Sequence, residues 1–177
     1  MNIFKSAVEF TFKHEGGHVN DPKDPGGETN LGISDRRDGI IDGKADIDGD
    51  GTPDVAISKI TIAQAEQLYY RSYWTPCRCD DLPPSVAVVL FDTAVNCGNN
   101  RAIKIMQKVL GVKDDGVIGA ITINAANKMD AASTARLMAD ERLVFYRGLK
   151  TFSHFGKGWT KRVEALISHV TKLEKFL

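Results

Sequence analysis

Glu15 stands where an acid catalyst would be useful, at the end of a helix-period segment and directly before Gly16-Gly17. Upstream, Phe4, Val8 and Phe12 recur every four residues with Ala7 and Thr11 beside them, which predicts a helix with one face on a core. The paired glycines end it, because glycine accepts the left-handed backbone that closes a last turn. A carboxyl group at such a place faces the negative end of the helix dipole, and a carboxyl that keeps its proton can give it to a leaving oxygen. Proton donation of this kind is the first half of glycoside hydrolysis. Asp24 and Thr29 follow in a loop stiffened by Pro22 and Pro25, suited to hold a water or to steady a cationic sugar. Taken alone, Glu-Gly-Gly also reads as a solvated helix end followed by a turn.

Several motifs in order favour the chemical reading. Glu15-Gly16-Gly17, Asp24-Pro25-Gly26-Gly27, Thr29 and Gly32-Ile33 together resemble the signature of the glycoside hydrolase family 108 muramidases. Tyr70-Arg71-Ser72-Tyr73-Trp74 is similar to the motif that closes the family's catalytic region, and Phe91-Asp92-Thr93-Ala94-Val95-Asn96-Cys97-Gly98 to its next block. Asp115-Gly116-Val117-Ile118-Gly119 and Gly158-Trp159-Thr160-Lys161-Arg162-Val163 resemble the peptidoglycan-binding region that accompanies it.

The resemblance implies a mainly α, lysozyme-like helical fold with a small β-hairpin and loop region near the active site. It implies a catalytic region at residues 1–92 and a helical peptidoglycan-binding region at 93–177, packed with the first as one compact unit. The implied activity is cleavage of the β-1,4 bond between N-acetylmuramic acid and N-acetylglucosamine, with Glu15 as general acid. A more distant similarity to phage lysozymes adds Asp24 and Thr29, although the four residues between those two are one fewer than in that pattern. The implied setting is a phage lytic enzyme that waits in the host cytoplasm until it reaches the wall. A calcium-dependent wall-binding protein without catalysis and a lytic transglycosylase are the alternatives, and the products separate them.

A second cluster of chemistry-bearing residues lies in an insertion at about residues 35–57. Asp46, Asp48 and Asp50 alternate, Gly51 follows, Thr52 offers a backbone carbonyl and Asp54 a further carboxylate, which is the opening of a calcium loop of EF-hand type. The twelfth position, where a bidentate Glu is expected, is Ile57, so Asp38 or Asp42 is left to supply the missing oxygen. Calcium is expected as a structural ion and no cofactor for catalysis. The other reading is a flexible acidic loop.

The elements that must position these groups are predicted as helices, with no convincing alternating strand beyond a short hairpin around Leu31–Ile33 and Val55–Ile57. Thr61-Ile62-Ala63-Gln64 is a capping box opening a helix to Trp74. Pro83-Pro84 starts a helix to about Asn96, and Asn99 or Asn100 caps the next, ended by Gly111. Helices follow at about 118–128, at 130–150 with Leu137, Glu141, Val144 and Leu149 along it, and at 158–176. Tyr73 and Trp74 are candidates to stack on sugars, and Asn96 to bond an acetamido group; burial in the core and a bond to backbone are the plainer alternatives. His14 and His18 lack a third ligand at metal spacing.

The 177 residues are 42% hydrophobic and 26% charged, enough for one core or two small ones. No apolar run is long enough for a membrane span, and the N-terminus lacks the pattern of a secretory signal. Residues 1–100 hold 9 Lys and Arg against 16 Asp and Glu, net −7, and residues 101–177 hold 14 against 7, net +7. A basic C-terminal half suits an anionic wall polymer, whereas no base-reading motif points to nucleic acid. Peptidoglycan glycan strands are therefore the expected partner of a monomer, with no nucleic acid and no membrane. Cys77, Cys79 and Cys97 fit neither a disulfide framework nor a four-ligand zinc site and are read as reduced thiols.

Overall fold

The computed structural model describes residues 2–15, 28–35 and 42–176. Among these the chain forms seven α-helices and two small antiparallel hairpins: α1 (Ile3–His14), β1 (Thr29–Asn30), β2 (Ile33–Ser34), β3 (Lys44–Ala45), β4 (Val55–Ala56), α2 (Ile62–Tyr69), α3 (Pro84–Cys97), α4 (Asn99–Val109), α5 (Ala120–Lys128), α6 (Ala131–Arg147) and α7 (Phe152–Glu174). The fold is mainly α and lysozyme-like. No helix is long and apolar enough to cross a membrane among the described residues. The chain separates into two compact units, Val8–Ser72 and Met1–Ala7 with Tyr73–Leu177. The chain thus passes between these units after Ala7 and again after Ser72.

In the smaller unit, Leu31 and Gly32 have φ of 50° and 74°, the left-handed pair of a two-residue hairpin turn. Thr29 therefore pairs with Ser34 and Asn30 with Ile33, while Lys44 and Ala45 pair with Ala56 and Val55. Two local hairpins thus replace the single pairing of 31–33 with 55–57 expected from sequence, and Ile57 begins a 3-10 turn instead of a strand. The capping box at Thr61 is present, with Gln64 N–H donating to Thr61 Oγ1 at 3.3 Å and Thr61 N–H to Gln64 Oε1 at 2.9 Å. Beyond Tyr69 the chain keeps turning as a π-helical segment, Tyr70–Trp74.

The larger unit is organised around α3, in which every residue from Ser85 to Ala94 is buried. A helix apolar on all sides must be enclosed by others, and α4, α6 and α7 pack against it. Asp92 is the one charge in that buried run, 1% exposed, and two helices answer it. Arg142 of α6 donates from Nη1 to Asp92 Oδ2 at 2.7 Å, and Arg162 of α7 from Nη2 to Oδ1 at 2.7 Å. Arg142 Nε also donates to Tyr146 Oη at 2.7 Å. Burial alone would raise the Asp92 carboxyl, but the two guanidiniums outweigh it and hold the group below the ordinary carboxylate value.

Several helix details differ from the sequence reading. The buried stripe of α6 is Thr134, Ala135, Met138, Ala139, Arg142 and Tyr146, and Leu137 and Val144 are exposed. Met138, Tyr146 and the buried arginine, set among small residues, face the core in place of Leu137 and Val144. Gly98, at φ 81°, links α3 directly to α4 and takes the cap position, so Asn99 falls in the first helical turn. Helix α7 begins at Phe152 and not Gly158, because Gly156 sits inside it with the Phe152 ring 2.7–2.8 Å from where a Cβ would lie. The three cysteines are free thiols, Cys77 and Cys79 buried. Burial pushes the Cys77 thiol up to about 12 and raises Cys79 as well.

Removing the Asp92 charge leaves two arginines without their shared anion. Asp92→Asn is expected to cost about 3–5 kcal/mol of stability, a fall in Tm of roughly 10 °C. Because the folded value lies below the unfolded one, the wild-type contribution is complete above the ordinary carboxylate range and is lost as pH falls through the depressed value, below about pH 4. Thermal melts from pH 7 to pH 2.5 should show a flatter acid limb for the variant; parallel limbs would remove this pair from the acid response.

Candidate active site

Glu15 extends the hydrogen-bond ladder of α1 by one step, its N–H donating to Thr11 O at 2.9 Å, and its side chain is half-buried. The stem of that side chain rests over the turn of the β1–β2 hairpin. A Cβ on Gly32 would come within 3.0 Å of Glu15 Cγ and would collide with the Tyr69 hydroxyl. Only a glycine lets the turn approach this closely, and its positive φ makes the same demand.

Tyr69 holds the arrangement together. It is 2% exposed, donates from its hydroxyl to Leu31 O at 3.1 Å, and meets the Phe12 ring of α1 edge to face at 5.2 Å. Asn30 completes the frame, its Nδ2 donating to Ile57 O at 2.9 Å and Ile60 O at 3.5 Å. The hairpin seated against Glu15 is the one that carries Thr29, so the structure brings the predicted acid and the predicted threonine to one small region. Asp24 and His18 lie outside the described residues. His14 is committed locally, with Nδ1 2.9 Å from Phe10 O and its ring 4.2 Å from the Phe10 ring.

The acidic insertion joins β3 to β4. Asp46, Asp48 and Asp50 each bring a carboxylate oxygen within 4.8 Å of the others. The loop's own amides turn these groups: Gly49 and Gly51 N–H donate to the two oxygens of Asp46, Asp50 N–H to Asp48 and Thr52 N–H to Asp50. Asp54 is exposed and not part of that group, and Asp42 uses Oδ1 to accept from Lys44 N–H. Ile57 at the twelfth position is fully buried and anchors the loop as a core residue.

Two residues that sequence reasoning did not select hold this loop. Asp35, buried, accepts from Asp42 and Gly43 N–H at 3.1 and 2.9 Å. Arg71 donates to Asp46 O at 3.1 Å, and its guanidinium lies against Gly49 where no side chain would fit.

The proposed sugar platforms fare differently. Trp74 is 2% exposed, packs edge to face on Phe4 and Phe91, and donates from Nε1 to Asp80 Oδ1 at 2.8 Å. It is a core residue, because helical spacing is shared by ligand-facing and core-facing rings. Asn96 donates to Asp92 O at 2.7 Å, the backbone bond that was its plainer reading, and Tyr73 is half-buried.

Glu15 thus stands half-buried at the end of α1, over a β-hairpin in a mainly helical chain. The family model described as glycosyl hydrolase 108 matches residues 8–98, and one described as a predicted peptidoglycan domain matches residues 101–164. A solved structure of SagA from Brucella abortus is 40% identical, with a TM-score of 0.78, covering 96% of this chain and 94% of that one. Curated protein sequences contain no match. The chain belongs to the glycosyl hydrolase 108 family: it is a glycoside hydrolase that acts on peptidoglycan, with a peptidoglycan-associated helical region following its catalytic one.

The Gly32 contact gives a direct check on how Glu15 is held. Gly32→Ala should lower turnover by about tenfold or more, since small displacements of a catalytic group are costly, and should add about 1–2 kcal/mol of backbone strain. Tyr69→Phe in the same chain removes the colliding hydroxyl and should restore part of the activity. A double variant no better than Gly32→Ala, measured on the same sacculi, would show that the hydroxyl contact is not what positions the acid.

Proposed function

We propose that this protein is an N-acetylmuramidase that cleaves the β-1,4 bond between N-acetylmuramic acid and N-acetylglucosamine, with Glu15 as the proton donor. The observation that carries the reading is the seat of Glu15 at the end of α1, pressed on the Gly32 turn of the hairpin that bears Thr29. Glu15 gives its proton to the glycosidic oxygen as that bond breaks, and water supplies the hydroxyl to the anomeric carbon. The water's remaining proton returns the acid to its starting state. Thr29 and Asp24 are assigned to holding that water or steadying the cationic sugar. Unrestrained cleavage of this bond lyses a bacterium, which is the corresponding role for the protein.

Glu15→Gln keeps the shape of the side chain and cannot deliver a proton, so turnover on purified sacculi should fall roughly 10²–10⁴-fold with the fold intact. A variant within threefold of wild type would remove Glu15 from the assignment. Mass spectrometry of wild-type products completes the test: reducing muramic ends identify the hydrolase, anhydro ends a transglycosylase, and no cleavage a binding protein.

The same reading assigns a structural calcium ion to the β3–β4 loop. Three carboxylates gathered at one point repel without a cation, and Asp46, Asp48 and Asp50 with the carbonyl of Thr52 are hard oxygen donors suited to calcium. Asp54 would reach such an ion only through an intervening water. A buried Ile57 in place of the bidentate carboxylate makes the ligand set short and its affinity correspondingly low. Calcium at a hundredfold excess over its dissociation constant should add about 2.7 kcal/mol, raising Tm by several degrees, and chelation should reverse it. Asp48→Ala should abolish the response while the protein still folds; a wild-type melt indifferent to both calcium and chelator would leave the loop as acidic surface.

A further inference from the structure

Residues 142–163 contain six Lys and Arg, five aromatic residues and no Asp or Glu. Arg142 and Arg162 are engaged by Asp92 in the core, whereas Arg147, Lys150, Lys157 and Lys161 are all exposed. A series of rings runs from the core to the surface of the same segment. The Trp159 ring lies 4.8 Å from that of buried Tyr146, and Phe155 stacks 5.7 Å from Trp159 with the planes 30° apart. Phe155 itself is 49% exposed, and Trp159 half-buried.

Gly158 adds a second, independent observation. It lies three residues after Phe155 and so on the same face of α7. A glycine inside a helix is unfavourable relative to alanine, and it is tolerated where another group needs the space. At Gly156 the Phe152 ring takes that space, but a Cβ on Gly158 would meet no atom within 4 Å among the described residues. Packing among the described residues gives Gly158 no reason to lack a side chain. The result is a bare strip of backbone beside an exposed ring, with Lys157 and Lys161 exposed on the same helix.

We propose that this surface is a carbohydrate-stacking anchor for peptidoglycan, in which Phe155, backed by Trp159, receives the flat face of an N-acetylated sugar beside Gly158 and the exposed lysines receive carboxylates of the stem peptides. Peptidoglycan is the occupant that fits, because it alternates apolar sugar faces with acidic peptides, matching ring faces set among lysines. The proposal rests on peptidoglycan being the substrate of the chain and assigns residues for retention on it, apart from the chemistry at Glu15.

The test is co-sedimentation of wild type, Phe155→Ala and Gly158→Ala with purified sacculi and with phosphatidylglycerol vesicles, alongside turnover on a short soluble glycan fragment. Phe155→Ala should weaken retention on sacculi about three- to tenfold and leave soluble turnover within twofold of wild type. Gly158→Ala should raise Tm and still weaken retention, a combination that loss of folding cannot produce. Retention of both variants within twofold of wild type overturns the anchor, as does a loss confined to the vesicles, which would mark a membrane surface instead. If wild type generates no new saccharide ends yet the variants lose retention, the hydrolase reading fails while the anchor stands.

Discussion

A carboxylate buried on a helix with no polar face constrains how the larger unit can be assembled. Asp92 could not remain in α3 without compensation, since an unpaired charge in a low-dielectric interior is far costlier than the fold can absorb. Arg142 and Arg162 must therefore arrive at one place from two different helices, which fixes both the rotation and the axial position of α6 and α7 against α3. Apolar packing alone would tolerate several rotations of these helices; a pair of directed ion pairs tolerates one. Tyr146, bonded to Arg142 and packed on Trp159, carries that constraint outward to the beginning of α7.

The smaller unit uses a steric constraint in place of an electrostatic one. Leu31, a branched residue with positive φ, and Gly32 after it form a turn that is unfavourable for the first and permissive for the second. The Tyr69 hydroxyl bonds the Leu31 carbonyl and so holds the turn in that conformation. In consequence the backbone of Gly32 serves as a floor for the Glu15 side chain. A carboxyl confined in this way has fewer orientations to lose when a sugar arrives, which is the usual advantage of a preorganised catalytic group.

Local signals were readable in the sequence and long-range ones were not. The Thr61 capping box and the end of α1 beside Glu15 depend on neighbours a few residues away, and they lie where the pattern puts them. Gly158 reads as the start of the last helix because the role of Gly156 within that helix is decided by a ring four residues earlier. Trp74 and the buried face of α6 were obscured for a related reason: periodicity reports that a face exists but not which neighbour it meets. Arg71 and Asp35 escaped notice because each acts on backbone distant in sequence or within a loop of unfamiliar shape. Gly32 was visible within the family motif, yet nothing in its neighbours reveals that it lies beneath Glu15.

The burial of Cys77 and Cys79 has a consequence for where the folded chain can persist. With burial pushing Cys77 up to about 12, its thiol stays protonated near neutral pH, and the thiolate is the species that attacks disulfides and oxidants. Each sulfur is also turned inward, Cys77 toward Asn99 Oδ1 and Cys79 toward the Ala87 carbonyl, both at 3.8 Å. Two thiols separated by one residue would otherwise be an easy target for mixed disulfides when a protein passes from a reducing to an oxidising medium. Burial withholds both sulfurs from such exchange.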